Sequence, residues 1–244
     1  MGVGRGFQWT EFNGFDIPMD ESTARYDEAL DIILKSWRTP GTYSYEGKFH
    51  SYNNISVEPK PVQTPHPPVW CAAGSLDSAT KVGRLGLHMQ LSSGLSLERM
   101  PAMMDAYKTA LAENGHTFSP DMVLVSRMTH IEATRERAWE VAMPHYTWFR
   151  NMLAEVTPAP ANLEANSNPL PAHMQRRKDV NPDDPTILFC SPDECCRVLE
   201  QIQSFGVGQV IFQSNWGGIS QEDAVRSIQL IGREVLTHFA NGDQ

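Results

Sequence analysis

The chain has 244 residues, of which 41% are hydrophobic and 20% charged, an ordinary globular composition long enough for one large α/β domain or two smaller ones. A formal net charge of −9 and a pI near 5.3 argue against a nucleic-acid backbone as the main partner. No apolar run approaches the length of a membrane span and no signal-peptide pattern opens the chain, so the reading is no membrane and a cytoplasmic location.

Met1–Gly6 reads Met-Gly-Val-Gly-Arg-Gly, a fixed cation among residues without side-chain bulk, which suits a strand end approaching an anion or else a solvated tail. From 20 to 37 the apolar residues Tyr26, Ala29, Leu30, Ile33, Leu34 and Trp37 recur at helical spacing. Alternating aromatics between 43 and 57 around Asn53 and Asn54 read as a hairpin, and the Pro-rich 60–68 as an extended connector.

From there the rhythm is short apolar strand, turn, long helix. Strands fall at 69–73, 89–92, 122–131, 187–190 and 209–213. Helices fall at 75–85, 97–114, 134–155 (interrupted or bent at Pro144), 191–205 and 221–239. Ser191-Pro192-Asp193-Glu194 is a strong helix start, with a capping hydroxyl, proline in the first turn and acids behind it. The stretch 157–186, rich in Pro, Asn and Asp, has no periodicity and reads as a long loop or lid insertion.

Repeated strand-helix units with short connections argue for a parallel sheet covered by helices, either doubly wound or a β/α barrel. A complete barrel needs eight units in roughly 250 residues. About four to five are found here, so the length fits a barrel and the inventory does not. An incomplete set leaves an open sheet edge, which favours a homo-oligomer or a partner chain.

Known chemical fingerprints are missing from the sequence. The eight histidines show no HExxH or HxH pattern, and the four cysteines (Cys71, Cys190, Cys195, Cys196) form no zinc spacing, so no metal site is expected and the thiols read as reduced. There is no GxSxG, no P-loop, and no GxGxxG between a strand and a helix. Trp70 and Cys71 read as core, and Arg127, inside a strand, either pairs with an acid or lines a pocket.

Several segments in order resemble the bacterial luciferase-like family of flavin-dependent monooxygenases. They are Gly2-Val-Gly-Arg-Gly-Phe with Glu11-Phe12, Ser22-Thr-Ala-Arg-Tyr-Asp, Tyr45-Glu-Gly-Lys-Phe, Pro59-Lys-Pro-Val-Gln, Pro67-Pro-Val-Trp-Cys-Ala-Ala-Gly-Ser, Ser191-Pro-Asp-Glu, Asn215-Trp-Gly-Gly and Arg233-Glu-Val-Leu-Thr-His-Phe. The resemblance implies a single α/β domain over 1–244 of the (β/α)8 TIM-barrel type, N-terminally incomplete. In the family the Gly-Arg-Gly motif ends the fourth barrel strand, so the earlier strands lie outside this sequence.

The resemblance further implies oxidation of a small organic substrate with O2 and reduced flavin mononucleotide (FMN) supplied by a flavin reductase. Alternatives are a deazaflavin- or flavin-dependent reductase on the same fold, and a non-catalytic subunit or inactive fragment. Arg5 matches the family's phosphate-contacting arginine. Ala73, Gly74, Ser75 and Ser78, where a strand hands over to a helix start, form the second half of the implied phosphate site. Asp77, in the same turn, is expected to face solvent. Asn215 and Trp216, after the last strand, are expected at the substrate pocket, with a packing role for Trp216 as the alternative. No catalytic residue is assigned.

Overall fold

The computed structural model describes residues 1–156 and 186–240. The expected loop at 157–186 lies outside these residues except for Thr186. The chain divides into two compact units, Met1–Cys71 and a second that takes in Ala72–Glu155 and, among the described residues, 186–240.

In the first unit, β1 (Gly2–Val3) leads to helix α1 (Trp9–Gly14), a 3-10 turn (Met19–Glu21) and α2 (Ser22–Arg38). The hairpin follows as β2 (Tyr43–Glu46) and β3 (Ser51–Ile55), antiparallel with a register shift between Tyr43 and Tyr45. Then β4 (Trp70–Ala73) pairs with β1 in parallel, Gly2 opposite Trp70 and Val3 opposite Cys71. The apolar face of α2 buries Leu30 and Leu34. Cys71 is buried, and burial together with a hydrogen bond to Cys71 holds the Tyr26 phenol pKa well above its ordinary value.

In the second unit each strand hands to a helix. The order is α3 (Leu76–Arg84), β5 (His88–Leu91), α4 (Met100–Glu113), β6 (Val123–Ile131), α5 (Arg135–Val156), β7 (Ile187–Cys190), α6 (Pro192–Ser204), β8 (Gln209–Gln213) and α7 (Gln221–Leu230). A π-helical turn (Ile231–Val235) and α8 (Leu236–Ala240) follow. The sequence pattern reads 221–239 as one helix; the extra residue of a π turn leaves the apolar spacing nearly intact and so leaves little trace in it.

Register explains how the sheet is assembled. Leu124 and Val125 face Gln90 and Leu91 of β5 and also Gln209 and Val210 of β8, so β5 and β8 lie on opposite edges of β6. Met128 faces both Gln213 of β8 and Ile187 of β7, so β7 lies on the β5 edge, beyond the last β5 rung. The strand at 187–190 therefore does not widen the sheet. It extends along a border that β5 has already begun, and the apolar run Ile187-Leu-Phe-Cys, buried throughout, carries no local sign of that placement.

Serine side chains start α3, α6 and α7. Ser75 and Ser191 each form a capping box with the residue three positions on, and Ser220 caps α7. Gly83 sets the approach of α3 to α4, because a Cβ there would lie 2.6 Å from the Tyr107 carbonyl oxygen. Pro144 sits inside α5 without ending it. Ala138, Ala142 and Tyr146, on either side of that proline, pack against Ile187, Phe189 and Trp216, which secures both halves of the helix.

Candidate functional site

The handover from β4 to α3 places Ala73, Gly74, Ser75 and Ser78 together. Ala73 is buried, and its carbonyl accepts from the Ser92 amide at 3.1 Å, which anchors the strand end. Beyond it the Ser78 hydroxyl accepts from the Gly74 amide at 3.2 Å and the Ser75 amide at 3.0 Å. The Ser75 hydroxyl accepts in return from the Ser78 amide at 3.3 Å. Gly74 leaves its surroundings open, since a Cβ there would meet only Ser92 Cβ, at 3.9 Å.

A helix start with two hydroxyls, an open glycine and first-turn amides has the donor set that a phosphate dianion needs. The same groups satisfy one another when no anion is present, so the arrangement costs little while empty. Asp77 is exposed, as its like-charge conflict with an anion requires.

Arg5 lies in the first unit, where Nη1 donates to Ser22 Oγ at 3.4 Å. It lines a cavity of about 520 Å³ together with Gly2, Gly4, Ser22, Arg25 and His50. Arg25 is held in place by Glu21 at 2.7 Å, and its guanidinium lies 4.3 Å over the Phe49 ring. Reasoning from sequence did not single out Ser22, Arg25 or His50 as cavity residues. The usable signal was the segment Ser22-Thr-Ala-Arg, which places Ser22 and Arg25 one turn apart on a helix.

Asn215 and Trp216 follow β8. Asn215 is exposed, whereas Trp216 is only 9% exposed and stacks on Phe189 at a centroid distance of 5.2 Å and 13° between planes. Tyr146 meets both rings edge-on, at 5.5 and 6.0 Å, and Trp139 meets Phe189 at 5.8 Å. The turn is pinned to α5 by a 3.0 Å hydrogen bond between His145 Nδ1 and the Gly217 carbonyl. Trp216 is thus part of an aromatic cluster, the packing alternative that the sequence left open.

Arg127 is fully buried. Its Nη1 donates to the Ser93 carbonyl at 2.7 Å and its Nη2 to the Leu95 carbonyl at 2.9 Å, which ties the loop after β5 to β6. Near the other cysteines, a hydrogen bond with Cys190 and then burial raise the Cys195 thiol pKa far above its usual range, so Cys195 stays protonated and unreactive at neutral pH.

The comparisons with known proteins follow this architecture. The family model "Luciferase-like monooxygenase" matches residues 1–209, and the chain belongs to that family. It is 24% identical over 231 residues to the FMNH(2)-dependent dimethylsulfone monooxygenase of Pseudomonas putida, with 93% of this chain and 61% of that protein covered. The chain therefore spans about three fifths of that relative's length.

Among solved structures, monooxygenase RslO1 from Streptomyces bottropensis superposes with a TM-score of 0.80 at 22% identity, over 98% of this chain and 68% of that one. The coenzyme F420-dependent tetrahydromethanopterin reductase from Methanopyrus kandleri gives a TM-score of 0.64 at 14% identity, over 98% and 73%. These likenesses establish the fold as the luciferase-like β/α barrel type, present here as an incomplete barrel.

Proposed function

We propose that this chain carries the flavin-phosphate-binding part of a luciferase-like oxygenase that oxidises a small organic molecule with O2 and reduced FMN delivered by a separate reductase. The observation that carries the reading is the β4–α3 handover. There the Gly74, Ser75 and Ser78 amides and the two serine hydroxyls meet at a helix start beside an open glycine, held by one another in the absence of an anion, within a segment matched by the family. Reduced flavin supplies the electrons for oxygen activation, and the protein's tasks are to bind the flavin, orient it and exclude water. Ser75 and Ser78 would hold the phosphate at the α3 start. Arg5 is a second candidate contact, to be tested separately, with a guanidinium suited to bidentate phosphate pairing. Asn215 is the candidate on the substrate side.

The test is titration of the full chain with FMN, oxidised and anaerobically reduced, followed by tryptophan and flavin fluorescence. Saturable binding that weakens at least tenfold in Ser75→Ala/Ser78→Ala and in Arg5→Ala is the expected result. A folded chain that binds no FMN overturns the reading for this chain and favours a non-catalytic subunit. A second reading, hydride transfer with a deazaflavin, draws support from the likeness to the F420-dependent reductase. Oxygen uptake with reduced FMN separates the two, because the deazaflavin reading expects none.

A further inference from the structure

The end of β6 carries a buried ionic group that the flavin reading does not use. His130 is fully enclosed, and neither ring nitrogen has a hydrogen-bond partner among the described residues. Two residues on, Glu132 is 6% exposed, and its Oε1 lies 3.5 Å from His130 Nε2, too far for a hydrogen bond. That oxygen is already taken. It accepts from Arg226 of α7, at 2.8 Å from Nε and 2.8 Å from Nη2.

Arg226 also pairs with Asp223, whose other oxygen accepts from the Ser220 hydroxyl at 2.6 Å. One rung inward, the Ile131 amide donates to the buried Ser227 hydroxyl at 2.8 Å. The first two turns of α7 are thus fastened to the end of β6 by two adjacent attachments, and His130 sits beside the charged one.

Burial is the main influence keeping the His130 pKa below the ordinary 6.5; Glu132 and Asp223 act against it, and Arg226 acts with it. Those are the charged groups facing the ring from the segment after β6 and from α7. Glu222 of α7 stands 3.9 Å from Arg226, and Arg137 of α5 feels both Glu132 and Arg226. From β7 the register neighbour is Phe189, which does not titrate.

At neutral pH the imidazole is therefore uncharged and leaves Glu132 to Arg226. Once protonated, its Nε2–H becomes a cationic donor 3.5 Å from the same carboxylate oxygen. We propose that His130 is an acid-sensitive latch: its protonation competes with Arg226 for Glu132 and releases α7 from the end of β6. The sign follows from the direction of the shift. Because the folded pKa lies below 6.5, the opened state binds the proton more readily, so closure is complete above 6.5 and weakens as pH falls toward the folded pKa. The π turn at Ile231–Val235 gives the released helix an irregular segment downstream into which opening can spread.

The experiment is amide hydrogen exchange on the full chain from pH 8 to 5, corrected for intrinsic rates. Protection of the peptide covering 221–230 is expected to fall below pH 6.5, by up to about tenfold per pH unit for a single proton, while that of 76–84 stays level. His130→Gln is expected to flatten the α7 response, and Glu132→Gln to lower α7 protection at every pH. An unchanged pH response in His130→Gln, or none in the wild-type chain, overturns the proposal. NMR titration of the His130 ring in the wild-type chain needs no variant. A ring midpoint at the low-pH end of the fall in α7 protection supports the latch, and one at or above 6.5 overturns it.

Discussion

The Glu28 carboxylate accepts the backbone amide of His50 at 2.6 Å, the shortest of a set that also includes the amides of Lys48 at 2.9 Å and Phe49 at 3.0 Å. One helical side chain thus fills the concave turn of the β2–β3 hairpin, whose successive N–H groups would otherwise converge on nothing. Glu28→Ala is expected to cost about 2 kcal/mol in denaturant unfolding, because the turn amides lose a charged acceptor. Glu28→Gln, which keeps an acceptor oxygen without the charge, should lose about half as much.

The two serine capping boxes separate a structural role from a binding role. Ser75→Ala and Ser191→Ala remove equivalent caps and should each destabilise the chain by about 1 kcal/mol. Only Ser75→Ala should also weaken FMN binding. Equal loss of FMN affinity in both variants would mean that affinity merely tracks stability, and the phosphate assignment at α3 would fall.

Trp216 and Phe189 are expected to act as a unit. Trp216→Ala should cost about 4 kcal/mol, and adding Phe189→Ala should cost clearly less than the sum of the two single losses. Near-UV circular dichroism reports the cluster directly. An additive pair would show that the stacked geometry contributes nothing beyond burial.

Gly217 has φ +60, and a Cβ there would press on the His145 carbonyl. Gly217→Ala should therefore destabilise by more than about 2 kcal/mol, through the left-handed backbone and the steric contact together. Gly218, also at positive φ (+75) but with nothing within 4 Å, should lose only the backbone part. Thermal unfolding of the two variants side by side checks the difference.

Arg127→Met is expected to cost about 3 kcal/mol, since the Ser93 and Leu95 carbonyls lose a charged donor in a buried setting. Arg127→Lys should recover part of this, because one ammonium reaches one carbonyl and lacks the fork that spans two.

Much of this was legible in the sequence, for local reasons. The helix starts at Ser75 and Ser191 are written in residues three apart, and the alternation from strand to helix beyond Trp70 is carried by period alone. The short α1 was missed, because Trp9–Gly14 buries no residue and has no apolar stripe to reveal it. The position of β7 was missed for a different reason: partnership is decided by residues far away in sequence, and four consecutive apolar residues suit either an added strand or an extended border. The alternatives at Trp216 stayed open because its stacking partner, Phe189, lies in another strand and the edge-on Tyr146 in a third element. The role of His130 is invisible until folding brings Arg226, 96 positions on, to the carboxylate beside it.

The arrangement of β7 along the β6 border also bears on how much change this region tolerates. β5 and β8 each take their register from β6 without β7, whereas Ile187–Cys190 is tied both to the Met128–Ile131 end of β6 and, through Ile187 and Phe189, to Ala138, Ala142 and Tyr146 of α5. A substitution at Ile187 or Phe189 is therefore expected to loosen α5 and that end of β6 together while leaving the β5 and β8 rungs in place.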